Sequence, residues 1–301
     1  MHQHLHSADD KGRVLVWSLG LTILFVVVEI SAGVLSGSLA LLADAGHNFT
    51  DSLALGLAWL AVYFSRKPPD SVKTYGYHRA GVLAAFVNAL VLVGLSVYIL
   101  YESWERWRAP QPVSETTMIV VAALGLFVNA VIMWGLRDER SHDVNIRSAW
   151  LHMLGDALGS VAIIAGAVGI RYTGWNRIDS LLSAIIGVLI IWTARGVVLE
   201  TLNILLEGLP RGLDLDEVVD EMRKVDGVRG VHDIHIWSLG SSTHALSCHV
   251  RIADVPPSAS GAILTRLNEV LDHRFRISHT TVQFEHVDCP GCPIPENNHW
   301  R

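Results

Sequence analysis

Ala43-Asp44-Ala45-Gly46-His47-Asn48-Phe49-Thr50-Asp51 sets a histidine and two carboxylates inside a hydrophobic run long enough to cross a bilayer. An ionisable group near the bilayer centre costs about 2.5–3.5 kcal/mol on insertion scales, so such a residue faces a cavity or a partner and marks a functional position. A second apolar run, Trp150-Leu151-His152-Met153-Leu154-Gly155-Asp156, repeats the pattern. In both runs His and Asp stand four residues apart, which puts the two side chains on one helical face. Two such faces brought together supply two imidazoles and two carboxylates, the donor set of a tetrahedral zinc site. His47, Asp51, His152 and Asp156 are therefore the candidate metal ligands.

Working outward, hydrophobic residues make up 50% of the 301-residue chain and charged ones 17%, well below the charged quarter of a soluble protein. The expected class is a polytopic α-helical membrane protein. Apolar runs lie at about 14–35, 39–64, 81–101, 118–136, 146–170 and 178–198, each near the ~20 residues that a hydrocarbon core requires. That gives six transmembrane helices in a membrane domain at 13–207, with both chain ends on one side. Lys11, Arg13, Arg66, Lys67, Lys73, Arg79, Arg137, Arg140 and Arg147 fall on that side, against Arg106, Arg108, Arg171 and Arg177 on the other. The excess of basic residues places both termini in the cytoplasm. Residues 1–12 form an N-terminal tail carrying His2, His4 and His6, without the charged, apolar and cleavage segments of a signal peptide.

From Leu209 onward the chain is more polar, which marks a soluble domain at 208–288, large enough to fold by itself. Its pattern predicts a helix at 214–225, strands at 231–239 and 244–253 around a Gly-Ser-Ser-Thr turn, a helix at 261–275 and a strand at 280–287. The order α-β-β-α-β describes a small two-layer α+β domain. A net charge of −6 gives no argument for nucleic acid as a partner. Three cysteines, Cys248, Cys289 and Cys292, make no disulfide framework; the last two form a Cys-x-x-Cys pair in a closing tail at 289–301.

The two carboxylates of the intramembrane set bear on mechanism. Empty, the site cannot keep two close ionised carboxylates cheaply, so protons should occupy them. Zinc needs deprotonated ligands and would expel those protons. If the opening alternates between the two sides of the membrane, metal moves one way and protons the other. The competing reading is that these groups merely pair between helices, although the same spacing occurring twice is hard to produce by packing alone. Asp44 reads as a mouth or capping residue. For Glu29, Asn48 and Asn129, interhelical hydrogen bonding serves as well as ion contact.

Four segments together resemble the cation diffusion facilitator family, zinc and related divalent-cation/proton antiporters, in its bacterial zinc, cobalt and cadmium efflux branch. They are Ser38 through Asp51, Tyr75-Gly76-Tyr77-His78-Arg79, His152 through Asp156, and His232-Asp233-Ile234-His235-Ile236-Trp237-Ser238-Leu239, in family order. The resemblance implies a homodimer in the bacterial inner membrane. It also implies one transport site per protomer from the second and fifth spans, and a cytoplasmic domain of ferredoxin-like, metallochaperone-like fold. In this family a histidine as first ligand of the second span goes with zinc, and here that residue is His47. Gly81 departs from relatives that carry a carboxylate there, which leaves open what Arg79 pairs with.

Similarity to the family's animal vesicular zinc transporters implies further zinc ligands on the cytoplasmic side: His232, His249, His279 and Glu285 in the tail domain, and His78 on the loop before the third span. The sequence supports part of this, since Gln283 and Glu285 share the polar face of the last strand, as does His249 with Ser247 and Arg251 in its own. A lone strand histidine is otherwise ordinary surface. His235 and His244 read as structural or surface residues. Cys289 and Cys292 fill half of a zinc tetrahedron, and His2, His4 and His6 can complete it, as similarity to the same relatives implies; a scavenging tail without a fixed partner is the alternative.

The expected function is zinc export in exchange for protons, with broader cobalt and cadmium efflux as the neighbouring possibility. Two other classes compete. A membrane metalloenzyme would keep one coordination position open, and the chain has no His-Glu-x-x-His helix with its general base, so no enzyme is expected. A metal sensor that does not transport predicts that Asp51→Ala leaves cellular metal unchanged.

Overall fold

The computed structural model describes residue 20 and residues 22–65, 67–137, 144–240 and 243–287. Six long helices come first: α1 (Thr22–Ser36), α2 (Leu39–Ser65), α3 (His78–Arg108), α4 (Glu115–Leu136), α5 (Val144–Thr173) and α6 (Arg177–Leu205). They are followed by α7 (Leu215–Arg223), β1 (Gly230–Ser238), β2 (His244–Arg251), α8 (Pro257–Phe275) and β3 (Ile277–Glu285). The chain divides into two compact units, one holding the chain up to Gly56 with Val87–Gly196, the other Leu57–Phe86 with the chain from Val197 on.

Helices α3, α4, the Ala149–Thr173 portion of α5, and α6 are long and apolar enough to cross a bilayer by length and composition. Helix α1 is described over a shorter apolar length. Helix α2 has 27 residues but is not among these four, with Asp44, His47, Asn48 and Asp51 placing polar groups in its first half. The residues that point to function are thus the ones that weaken its membrane signal.

Within the first unit, Gly37 turns the chain between α1 and α2 with φ +70°, a conformation glycine adopts without steric cost. The first amides of α2 have no intrahelical partner and are capped twice. Ser38 Oγ accepts from Leu41 N at 3.2 Å, and the Asp179 carboxylate of α6 accepts from Leu39 N at 2.9 Å, Ala40 N at 3.3 Å and Ser38 Oγ at 2.6 Å. A core of Ala40, Leu41, Met118, Val121, Ala122, Ile163, Ala167 and Ile170 joins α2, α4 and α5. Gly46 lets α2 approach α3 closely, since a Cβ there would lie 2.5 Å from Leu95 Cδ2. Large apolar side chains such as Val97, Trp134, Leu158 and Trp192 face outward, as a lipid-facing surface requires.

In the second unit, Asp214 caps α7 by accepting from Asp216 N and Glu217 N, and Pro257 opens α8 at a position where a missing amide costs nothing. One face of each helix, Val218, Val219 and Met222 from α7 with Ile263, Leu267, Leu271 and Phe275 from α8, packs on Ile236, Leu246, Val250 and Ile277 of the sheet. Strand order is β1-β2-β3, with β1 antiparallel and β3 parallel to β2. The α-β-β-α-β order and the hairpin appear as the sequence predicts. Helix α8 begins four residues earlier than expected because Pro257 suits a first turn. Strand β3 begins at Ile277, because Ile277 is buried in the domain core.

Candidate metal centres

His47 and Asp51 of α2 meet His152 and Asp156 of α5 within the first unit. His47 Nε2 lies 3.5 Å from Asp51 Oδ2 and 3.7 Å from Asp156 Oδ1, while His152 Nε2 lies 3.1 Å from Asp51 Oδ2 and 3.7 Å from Asp156 Oδ2. The imidazole planes stand at 76° with centroids 5.9 Å apart. Two donors about 2.1 Å from a zinc ion at the tetrahedral angle stand about 3.4 Å apart, inside this spread. Asp51 Oδ2 and His47 Nδ1 are buried without a hydrogen-bond partner among the described residues, so the close approaches are not aligned hydrogen bonds. Asp156 is buried, whereas the His152 side chain is 43% exposed.

Three further polar residues lie behind this set. Asn48 Nδ2 donates to Glu29 Oε2 of α1 at 3.0 Å, the interhelical bond that was one of two readings for these residues. Asp44, read as a mouth or capping residue, is buried, with Gly159 of α5 beside its Oδ1. Standing three residues before His47, it shares that residue's inward face.

A second set of donors lies in the tail domain. His232 of β1 pairs in register with His249 of β2, and Glu285 ends β3 on the far side of β2. His232 Nε2 is 3.1 Å from Glu285 Oε2, His249 Nδ1 is 3.0 Å from Glu285 Oε1, and the three donor atoms lie within 4.8 Å of one another. His249 Nδ1 is buried without hydrogen-bond geometry to any described group. Nitrogen and oxygen donors at these separations, with lone pairs left unmatched, fit a zinc ion.

Asp233, which sequence reasoning passed over, stands at the edge of the set with Oδ2 3.7 Å from His249 Nε2. It occupies a β-bulge, since β1 advances three residues from His232 to His235 while β2 advances two from His249 to Ser247. Its φ of +48° is one that Asp tolerates better than most residues. The signal in the sequence was His-Asp-x-His, which regular alternation cannot place on one face and a bulge can. His235, read as surface, approaches Asp233 Oδ1 at 3.3 Å.

His279 does not join this trio. It lies six residues before Glu285 on the same strand, about 20 Å away at strand rise, and rests edge-on against Tyr75 at 5.2 Å. His78 opens α3 and lines a cavity of about 730 Å³ with Lys73, Tyr75, Arg79, His235 and Trp237. Asp70 shapes the loop before it, accepting from Val72 N, Lys73 N and Tyr77 Oη, and the Lys73 amide foremost holds its carboxyl below the ordinary range. Arg79, left without a partner by Gly81, pairs with Glu207 at 3.1 Å. His2, His4, His6, Cys289 and Cys292 lie outside the described residues.

Comparison with known proteins divides the chain between residues 206 and 210. Residues 15–206 match the family description "Cation efflux transmembrane domain" and residues 210–287 match "Cation efflux protein, cytoplasmic domain". The chain is 40% identical over 288 residues to the metal cation efflux system protein CzcD of Cupriavidus metallidurans, covering 96% of this chain and 90% of that protein. It is 40% identical over 304 residues to the zinc transporter ZitB of Escherichia coli, covering 98% and 96%. It is 36% identical over 285 residues to the cadmium, cobalt and zinc/H(+)-K(+) antiporter of Bacillus subtilis, covering 94% and 91%. Among solved structures, the metal-bound C-terminal domain of the CzcD transporter from C. metallidurans is 38% identical, covers 24% of this chain and 99% of that one, and has a TM-score of 0.22.

Proposed function

The chain belongs to the cation efflux family and is a membrane protein, and on that premise we propose that it exports zinc from the cytoplasm in exchange for protons. The observation that carries this reading is the meeting of His47, Asp51, His152 and Asp156 at 3.1–3.7 Å, the spacing of donors around one tetrahedral ion. The zinc transporter ZitB and the proton-linked antiporter among its relatives supply the cargo and the coupling ion.

In this reading the site alternates between two loads. Two imidazoles and two carboxylates around Zn²⁺ sum to zero charge, as does the empty site with a proton on each carboxylate. A site that is neutral in both states avoids the cost of carrying charge through the membrane interior. Metal arriving from the cytoplasm displaces the protons, and protons arriving from the other side displace the metal. Six spans, with α1 and α2 added to the four that length and composition pick out, keep both termini on one side, and the excess of basic residues there makes that side, with the tail domain, the cytoplasm of a bacterial inner-membrane protein.

The tail domain, matching a cytoplasmic domain of the family, joins two copies into a homodimer. His232, His249 and Glu285, with Asp233 beside them, would hold a resident zinc ion that braces the sheet by linking all three strands. His78 and His279 would serve at the face where the loop before α3 approaches, and Cys289 and Cys292 with His2, His4 and His6 would form a further site.

The test is zinc uptake into proteoliposomes under an outward-directed proton gradient. Wild type should accumulate zinc in a gradient-dependent way and Asp156→Ala should not. Equal uptake by both would move the site elsewhere. If neither takes up zinc while both are folded and inserted, the chain is a sensor. Cadmium and cobalt, named for one of the relatives, are the competing cargoes for the same vesicles.

A further inference from the structure

Glu29 lies in α1 with no exposed surface. Its Oε2 accepts from Asn48 Nδ2 at 3.0 Å, and its Oε1, also buried, has no donor among the described residues. A carboxylate taken out of water needs two or three donors or a nearby cation to stay ionised, and one neutral amide falls short of that. The charged groups bearing on it are Asp44 of α2 and Asp156 of α5, both acids. The atom without a donor is the one a proton would occupy.

Resting on the exchange reading above, we propose that Glu29 is a proton-binding group separate from the four metal donors. It holds a proton while the transport site lacks metal and releases it to water when a divalent cation arrives. The step balances as one carboxylic acid giving one carboxylate and one proton. Its cause is electrostatic: the single proton that Asp156 carries in the empty site gives way to a divalent cation, so this neighbour of Glu29 bears the larger positive charge once metal is bound. Asn48 couples the same event mechanically, because it follows His47 directly in the chain and moves with any turn of α2 that closes the metal donors. One proton, beyond the two displaced from the metal donors, then leaves from a residue that never touches the metal.

The experiment counts protons released as zinc alone is added to the purified full chain in detergent and weak buffer, with bound zinc measured on the same samples. Glu29→Gln keeps the size and the acceptor for Asn48 but carries no titratable proton. It should bind as much zinc as wild type and release one proton fewer per protomer; release from the tail donors is common to both and cancels. Equal proton counts at equal zinc binding would overturn the inference and leave the exchange reading standing. Loss of zinc binding by the transport donors in wild type would remove both. Should Glu29→Gln fail to fold, Asn48→Ala removes the donor that favours ionised Glu29, so the release should shift to higher pH, and superimposed curves of protons released per bound zinc would overturn the inference.

Discussion

His244 shows how one residue sets a pH response. It is half-buried at the start of β2, and burial first, then the Arg276 guanidinium, holds its ring below the ordinary value of 6.5. The unfolded chain therefore takes up this proton before the folded one does. Stability from the neutral ring is fully present above pH 6.5 and is lost as pH falls through the lowered native value. Between about pH 7.5 and about pH 5.5, the thermal unfolding midpoint of the tail domain should fall, and His244→Gln should remove part of that fall; parallel profiles for the two proteins would show that other groups govern the response. The meeting of His47, Asp51, His152 and Asp156 was legible residue by residue, because His and Asp four apart on a helix share one face in each of two apolar segments. Asp233 was not, because its side-chain direction depends on a bulge set by the register with β2.

Among the elements, α2 carries two donors of the proposed transport site and depends on a residue far away in the chain. Asp179 accepts from Ser38 and from the first two amides of α2, 139 to 141 residues earlier. Replacing it with alanine leaves buried donors unmatched, at about 1–3 kcal/mol each before relaxation. Asp179→Ala should lower the apparent melting temperature in detergent and weaken zinc transport together, since the start of α2 positions His47 two turns on. A normal melting temperature would mean that Ser38 or water replaces the cap. The Asp214 cap of α7 was readable in sequence because it is local. The Asp179 cap was not, since nothing at Asp179 names its partner.

For the whole molecule, two donor sets in separate units predict two separable responses to zinc. A ligand at a hundredfold excess over its dissociation constant stabilises a folded unit by about 2.7 kcal/mol. Zinc should raise the unfolding transitions of both units, with Asp51→Ala removing one increment and His232→Ala with His249→Ala removing the other, additively because the sets share no residues. A zinc response surviving all three substitutions would require donors elsewhere. By itself the sequence determined the membrane class, the α-β-β-α-β tail and the placing of His47 with Asp51, and of His152 with Asp156, on one helical face, because helix and strand periodicities fix which side chains share a face within one element. Only the tertiary structure decided that His232, His249 and Glu285 converge without His279, that Glu29 is sealed behind Asn48, and that Asp179 caps α2. Those are distances between elements, and strand register and helix packing set them rather than any spacing along the chain.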